Sequence, residues 1–111
     1  MCNDKRTTTI RTLNDNLRRL HIGGTVVITS GIRALGSEQV SDLLGEIVRF
    51  DAFTPDNDPY DEHDCAVLVS RGHRIIWKID YYDQGLEYAS PDPADPTVTK
   101  RVMTVMLSEE Y

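Results

Sequence analysis

Residues 50–64 fix what this chain can fold into. Pro55 and Pro59 exclude regular pairing there, and Asn57-Asp58-Pro59 is turn chemistry. So long an irregular stretch is uncommon inside a compact domain and is often functional when it occurs. It carries Asp51, Asp56, Asp58, Asp61, Glu62 and Asp64 with no Lys or Arg among them. Two β-rich segments follow, at 65–69 and 74–82, joined through Ser70-Arg71-Gly72-His73 as a hairpin with glycine at its tip. In the second segment Ile75, Trp77, Ile79 and Tyr81 share the face expected to meet helices. Ile76, Lys78, Asp80 and Tyr82 share the other, which is the better candidate for an exposed or functional face.

The rest of the chain is read as support for this unit. With 111 residues it suits one domain, 1–111, with one modest core. At 7–20, Ile10, Leu13, Leu17 and Leu20 recur at helical spacing, and Gly23-Gly24 supplies a stop. The β-branched run 25–29 reads as a strand. Ser37 can cap a second helix reaching about residue 50, whose Val40, Leu43, Leu44, Ile47 and Val48 form a core-facing stripe. Residues 86–89 suggest a further short strand, and 90–96 a proline-punctuated connection. Asp95 as N-cap and Pro96 at the first helical position predict a third helix, burying Val98, Val102, Val105 and Met106. The expected fold is α+β, in the order α-β-α-β-β-(β)-α. It comprises a small antiparallel sheet of three to four strands packed by three helices.

Charge narrows the functions. The net charge is −6, yet residues 1–50 hold seven basic against five acidic side chains, so the excess of acid lies in the remainder. A non-specific nucleic-acid binder needs clustered Lys and Arg over a broad basic face, and this charge balance argues against one. No direct nucleic-acid partner is expected. Cys2 and Cys65 give no disulfide framework and point to reduced, cytoplasmic thiols. No segment approaches the ~18 apolar residues of a membrane span, and no cofactor motif is present.

No motif amounts to a chemical signature. Asp56, Asp58 and Asp61 are hard oxygen donors suited to calcium or magnesium, but the EF-hand pattern fails, with Asp61 where its glycine belongs. His63, between Glu62 and Asp64 and with Asp80 or Tyr82 from the hairpin, could form a small acid–base centre. A metal-dependent nuclease of the Asp, then Glu-x-Lys type would need an acid where Ile76 stands, two before Lys78, and that acid, zinc-deaminase motifs and a phosphate-binding glycine loop are all missing.

Several stretches together resemble a known family. They include Arg11-x-Leu13-Asn14-Asp15-x-Leu17-Arg18, Phe50-Asp51-x-Phe53, Asp56-Asn57-Asp58-Pro59-Tyr60, Glu62-His63-Asp64, Trp77-Lys78-Ile79-Asp80-Tyr81-Tyr82-Asp83, Ser90-Pro-Asp-Pro-Ala-Asp-Pro96 and the Glu110-Tyr111 end. This combination is similar to the bacterial domain of unknown function 3768 family over nearly the whole chain. The resemblance imports no activity. Members of that family are often met on plasmids and other mobile elements, which implies, by association, a role in conflict between such elements and their hosts. Two positions depart from the family pattern: Asp61 stands where glycine is expected, and Cys65 where an aromatic is expected.

The expected function is that of a non-enzymatic acidic binding protein. It would present Asp56, Asp58, Tyr60, Asp61, Glu62, Lys78, Asp80, Tyr82 and Asp83 to the basic surface of a protein or nucleoprotein complex, as an anti-CRISPR or DNA-mimic inhibitor does. Homo-oligomerisation is compatible with this, and no membrane partner is expected. The competing expectation is a small hydrolase or nuclease-like enzyme with Glu62, His63, Asp64 and Asp80 as its catalytic residues.

Overall fold

A computed structural model describes residues 5–111. Cys2 lies outside the described residues. Helix α1 (Lys5–Leu20) leads to strand β1 (Thr25–Ile28), a single turn α2 (Ser30–Arg33) and helix α3 (Ser37–Arg49). After the irregular segment come β2 (Cys65–Ser70), β3 (His73–Tyr82), β4 (Lys100–Leu107) and a 3-10 turn at Ser108–Glu110. The strands form one sheet in the order β1-β4-β3-β2, with β1 parallel to β4 and the other pairs antiparallel. The α+β class holds, and the sheet is mixed. Among the described residues no helix is long and apolar enough to cross a membrane.

The predicted third helix is a strand, and a central one. Val98, Val102, Val105 and Met106 fit helical spacing, but the segment alternates as far as Val105: Thr99, Arg101, Met103 and Val105 are all buried. Its β-branched content and the open slot between β1 and β3 favour the extended form. The third helix of the fold is instead α2, where the Thr29 side chain accepts from the Ile32 amide. Residues 86–89 contribute only one bridge, Tyr82 to Ala89. Helix α3 starts at Ser37 as expected, but its N-cap is Gly36 and no side chain caps it.

The hairpin follows its sequence. Ser70 pairs with His73, and both Arg71 (φ 49°) and Gly72 (φ 81°) take the left-handed backbone that a two-residue turn of this twist requires. The core lies between the helices and one sheet face: Leu17, Ile32, Leu43 and Ile47 pack on Ala66, Ile75, Trp77, Ile79, Met103 and Val105. Gly24 permits α1 to sit close to β4, since a Cβ there would stand 2.6 Å from the Arg101 carbonyl oxygen and 2.9 Å from Leu17. The buried stripe of α1 is not the purely apolar one expected. Leu20 is exposed, while Asn14 and Arg18 are fully buried beside Ile10 and Leu17. Those two polar side chains connect the fold to its candidate site.

Candidate functional site

Helix α1 and the segment 51–64 meet through polar contacts. A buried guanidinium must find acceptors, because its desolvation is otherwise uncompensated. Arg18 donates to the main-chain oxygens of Ile47 (2.9 Å) and Phe50 (2.8 Å) at the C-terminal end of α3, and to Asp15 Oδ1 (3.0 Å). It also lies over the rings of Phe53 and Trp77 at 5.3 and 5.4 Å. Burial lowers its pKa, opposed by Asp15.

Asp15 is thereby fixed, and it holds His63. Nδ1 of His63 stands 3.0 Å from Asp15 Oδ1 and 3.2 Å from Oδ2. The imidazole stacks on Phe53 with centroids 3.8 Å apart and planes 5° from parallel. Its other nitrogen, Nε2, faces Asp58 Oδ2 at 3.8 Å. Asp58 is itself only 6% exposed and accepts from the amides of Glu62 and His63. The backbone bends sharply here, with left-handed φ at Asp61 (59°) and His63 (53°). Left-handed backbone costs energy in residues with a side chain and often marks functional turns. Asp is among the residues that tolerate it best. The Asp61 carboxylate moreover pairs with Arg11 Nη1 at 2.7 Å, so the aspartate at the expected glycine position is accommodated.

A second network lies next to the first. The Tyr81 hydroxyl donates to Glu62 Oε1 (2.8 Å) and accepts from Asn14 Nδ2 (2.8 Å), which also donates to the Glu62 carbonyl oxygen (2.9 Å). Asn14 Oδ1 accepts from Arg101 Nε (2.9 Å), and Arg101 donates to the Pro93 carbonyl and covers the Tyr81 ring at 5.1 Å. Burial pushes the Tyr81 phenol far up, so it acts as a donor and not as an acid. Asp64 is raised as well, first by burial and then by the charge of Glu62.

The profile of a family described as a protein of unknown function, DUF3768, matches residues 28–110. The chain belongs to this family. No curated protein and no solved structure matches it. The matched region supplies the loop, the hairpin and β4, whereas Asn14, Asp15 and Arg18 come from α1, ahead of it.

The expected site residues do not form one cluster. Asp58, Asp61, Glu62 and His63 come together against α1, and Asp58 is buried instead of displayed. Lys78 and Asp80 pair with each other on the sheet face away from the helices. Against the cost of burial, the Asp80 hydrogen bond and charge raise the Lys78 pKa. Asp80 is therefore not assembled with His63. Asp83 accepts from the amides of Glu87 and Tyr88 and organises the next turn. Tyr82 is half-buried at the end of β3, and Asp56 and Tyr60 are exposed. Asp64 immediately precedes β2, and burial, followed by the charges of Glu62, Asp58 and Asp80, raises its pKa.

For a cation, the set differs from the one expected. Oxygens of Asp58 and Asp61 and a nitrogen of His63 lie within 4.8 Å of one another, and Asp56 is not part of the group. These are ligand types a divalent transition ion accepts, with Asp15 behind the histidine as a supporting carboxylate. Arg11 competes for Asp61. Sequence reasoning missed Asn14, Asp15, Arg18, Phe53 and Arg101 as members of the site. The available signal was Asn14 and Arg18 at i, i+4 beside Leu17 on an apolar stripe.

Proposed function

We propose that the chain is a small enzyme of hydrolase type with His63 as its acid–base group. The observation that carries this is the Asp15–His63 pair at 3.0 Å, set so that Nε2 turns away from Asp15 toward Asp58. With Nδ1 held by Asp15, Nε2 is the ring nitrogen left to exchange a proton with water or a leaving group. Asp15, Phe53 and Arg18 act as positioning residues. The carboxylates that face the imidazole are Asp15 and Asp58, whereas the sequence-based expectation named Asp64 and Asp80 among the catalytic residues. Beside Asp58, one of the two carboxylates that face the imidazole, opens a pocket of about 340 Å³ lined by Phe53, Thr54, Pro55, Asp58, Pro59 and Asp61. Two carboxylates in its wall favour a neutral or cationic substrate over a free phosphate ester.

The test is a hydrolysis panel of esters, amides, glycosides and phosphodiesters, run with and without added manganese or zinc. Turnover that drops about 10²–10⁴-fold in His63→Gln, with an unchanged circular dichroism spectrum, supports the reading. Equal rates for the parent and His63→Gln on every substrate overturn it.

One observation favours the binding reading as a second candidate. Asp51, Asp56 and Tyr60 are exposed on the loop, Tyr60 at 74%, and the side chains of Asp56 and Tyr60 have no partner among the described residues. An inhibitor of a nucleic-acid-handling defence complex, of the anti-CRISPR or DNA-mimic kind and suited to mobile elements, would use these groups. It would not use the inward-turned Asp58. Loss of inhibition in Asp56→Asn and Tyr60→Ala but not in His63→Gln distinguishes it from the enzyme.

A further inference from the structure

Strand β2 is one edge of the sheet, and its hydrogen-bonding pattern shows which groups it leaves open. The Ile79 amide donates to the Asp64 carbonyl (2.7 Å), and Cys65 pairs with Lys78. By antiparallel alternation Ala66, Leu68 and Ser70 turn their main-chain groups to β3, while Cys65, Val67 and Val69 turn theirs outward. No main-chain partner meets those three among the described residues.

Edge strands are normally blunted by proline, charge, a bulge or brevity. The sequence Cys65-Ala66-Val67-Leu68-Val69-Ser70 has none of the first three and runs for six residues, against four in the other edge strand β1. Val67 is 44% and Val69 66% exposed. The strand is also dipolar: Asp61, Glu62 and Asp64 precede it, with Asp61 paired to Arg11, and Arg71 and Arg74 follow it, with Arg71 paired to Asp42.

We propose that β2 pairs antiparallel with β2 of a second copy, about a two-fold axis at Val67, to give a continuous eight-stranded sheet. This inference stands apart from the role of His63. Three features point to a second copy instead of an unrelated extended peptide. First, the outward groups of Cys65, Val67 and Val69 match their own set under the two-fold, Val67 against Val67 and Cys65 against Val69. Second, the apolar row Met106–Ile76–Val67 on the face away from the helices continues into Val67–Ile76–Met106 of the other copy. On the helix-bearing face, Leu107–Ile75–Leu68 likewise runs into Ala66–Trp77–Val105. Third, the acidic end of each strand meets the arginine end of the other, a complementarity that parallel pairing would reverse into repulsion.

Light scattering after size exclusion, with amide hydrogen exchange, tests this on the full chain. The parent should have the mass of two chains. Val67→Lys sets two like charges together at the axis, and Val69→Pro removes an outward amide without breaking a bond to β3. Both should be monomeric with an unchanged circular dichroism spectrum. In the dimer the amides of Cys65, Val67 and Val69 should exchange slowly, and dilution to monomer should expose these three selectively. A parent that is monomeric throughout the micromolar range overturns the proposal. So does a dimer that survives either substitution, or one in which those three amides exchange as fast as in the monomer. Should a variant fail to fold, the exchange of the parent across the dilution series decides alone.

Discussion

Asp15 on α1 and His63 in the loop meet at 3.0 Å across 48 residues of sequence, and Asp15 also carries the buried Arg18. One carboxylate therefore ties the loop to the helix and compensates a guanidinium that has no exposure. Replacing Asp15 by Ala should cost about 2 kcal/mol, since it leaves Arg18 with main-chain oxygens only and His63 unanchored. Asp15→Asn keeps one acceptor and should cost about half as much. Urea denaturation of the three proteins checks both values.

Asn14 is the second junction. It bonds Glu62, Tyr81 and Arg101 at once and is fully buried, so each partner loses its mate when the amide is removed. Asn14→Leu should destabilise by about 3 kcal/mol, and Tyr81→Phe by about 1 kcal/mol. The two losses should be less than additive in a double-mutant cycle, because they share one hydrogen bond.

What the sequence revealed follows from how local each signal is. The hairpin and the helical stripe of α3 were legible because Gly72 and the Val40-to-Val48 spacing act within a few residues. Segment 98–106 misled because Val98, Val102, Val105 and Met106 keep helical spacing, while the alternating row the strand buries includes the polar Thr99 and Arg101, and only the slot between β1 and β3 decides between the two forms. The loop misled in a different way. Its carboxylates carry no mark of which will meet an arginine from α1, so Asp58 and Asp61 read as outward charge although one is buried and the other paired. The contacts of Asp15 with His63 and of Asn14 with Arg101 join positions far apart in sequence, and no short pattern encodes them.

Gly45 offers a gain in stability. It lies inside α3, where glycine costs about 1 kcal/mol relative to alanine. An added Cβ would approach only the Arg49 guanidinium, at 3.2 Å, which is the far end of an exposed and flexible side chain. Gly45→Ala should therefore raise stability by up to about 1 kcal/mol and leave the His63 site unaffected, as thermal melting would show.

Asp64 makes the pH dependence specific. Burial, followed by the charge of Glu62, raises its folded-state pKa above that of the unfolded chain. Between the two values the native protein holds more protons than the unfolded one, so stability falls as pH rises through that window and stays reduced above it. The cost is absent once the pH lies below the unfolded carboxylate value of about 4. Asp64→Asn removes the ionising group while keeping its size. The variant should melt higher than the parent at pH 7, and the difference should shrink to nothing as the pH approaches 4. The lowered carboxyls act in the opposite sense: Glu110, held by the Thr29 hydroxyl and the Leu107 and Gly31 amides, and Asp95, held by Thr97, lose stabilisation on acidification in both proteins alike. Melting curves of parent and variant that ran parallel over this range would show that Asp64 ionises without penalty in the fold.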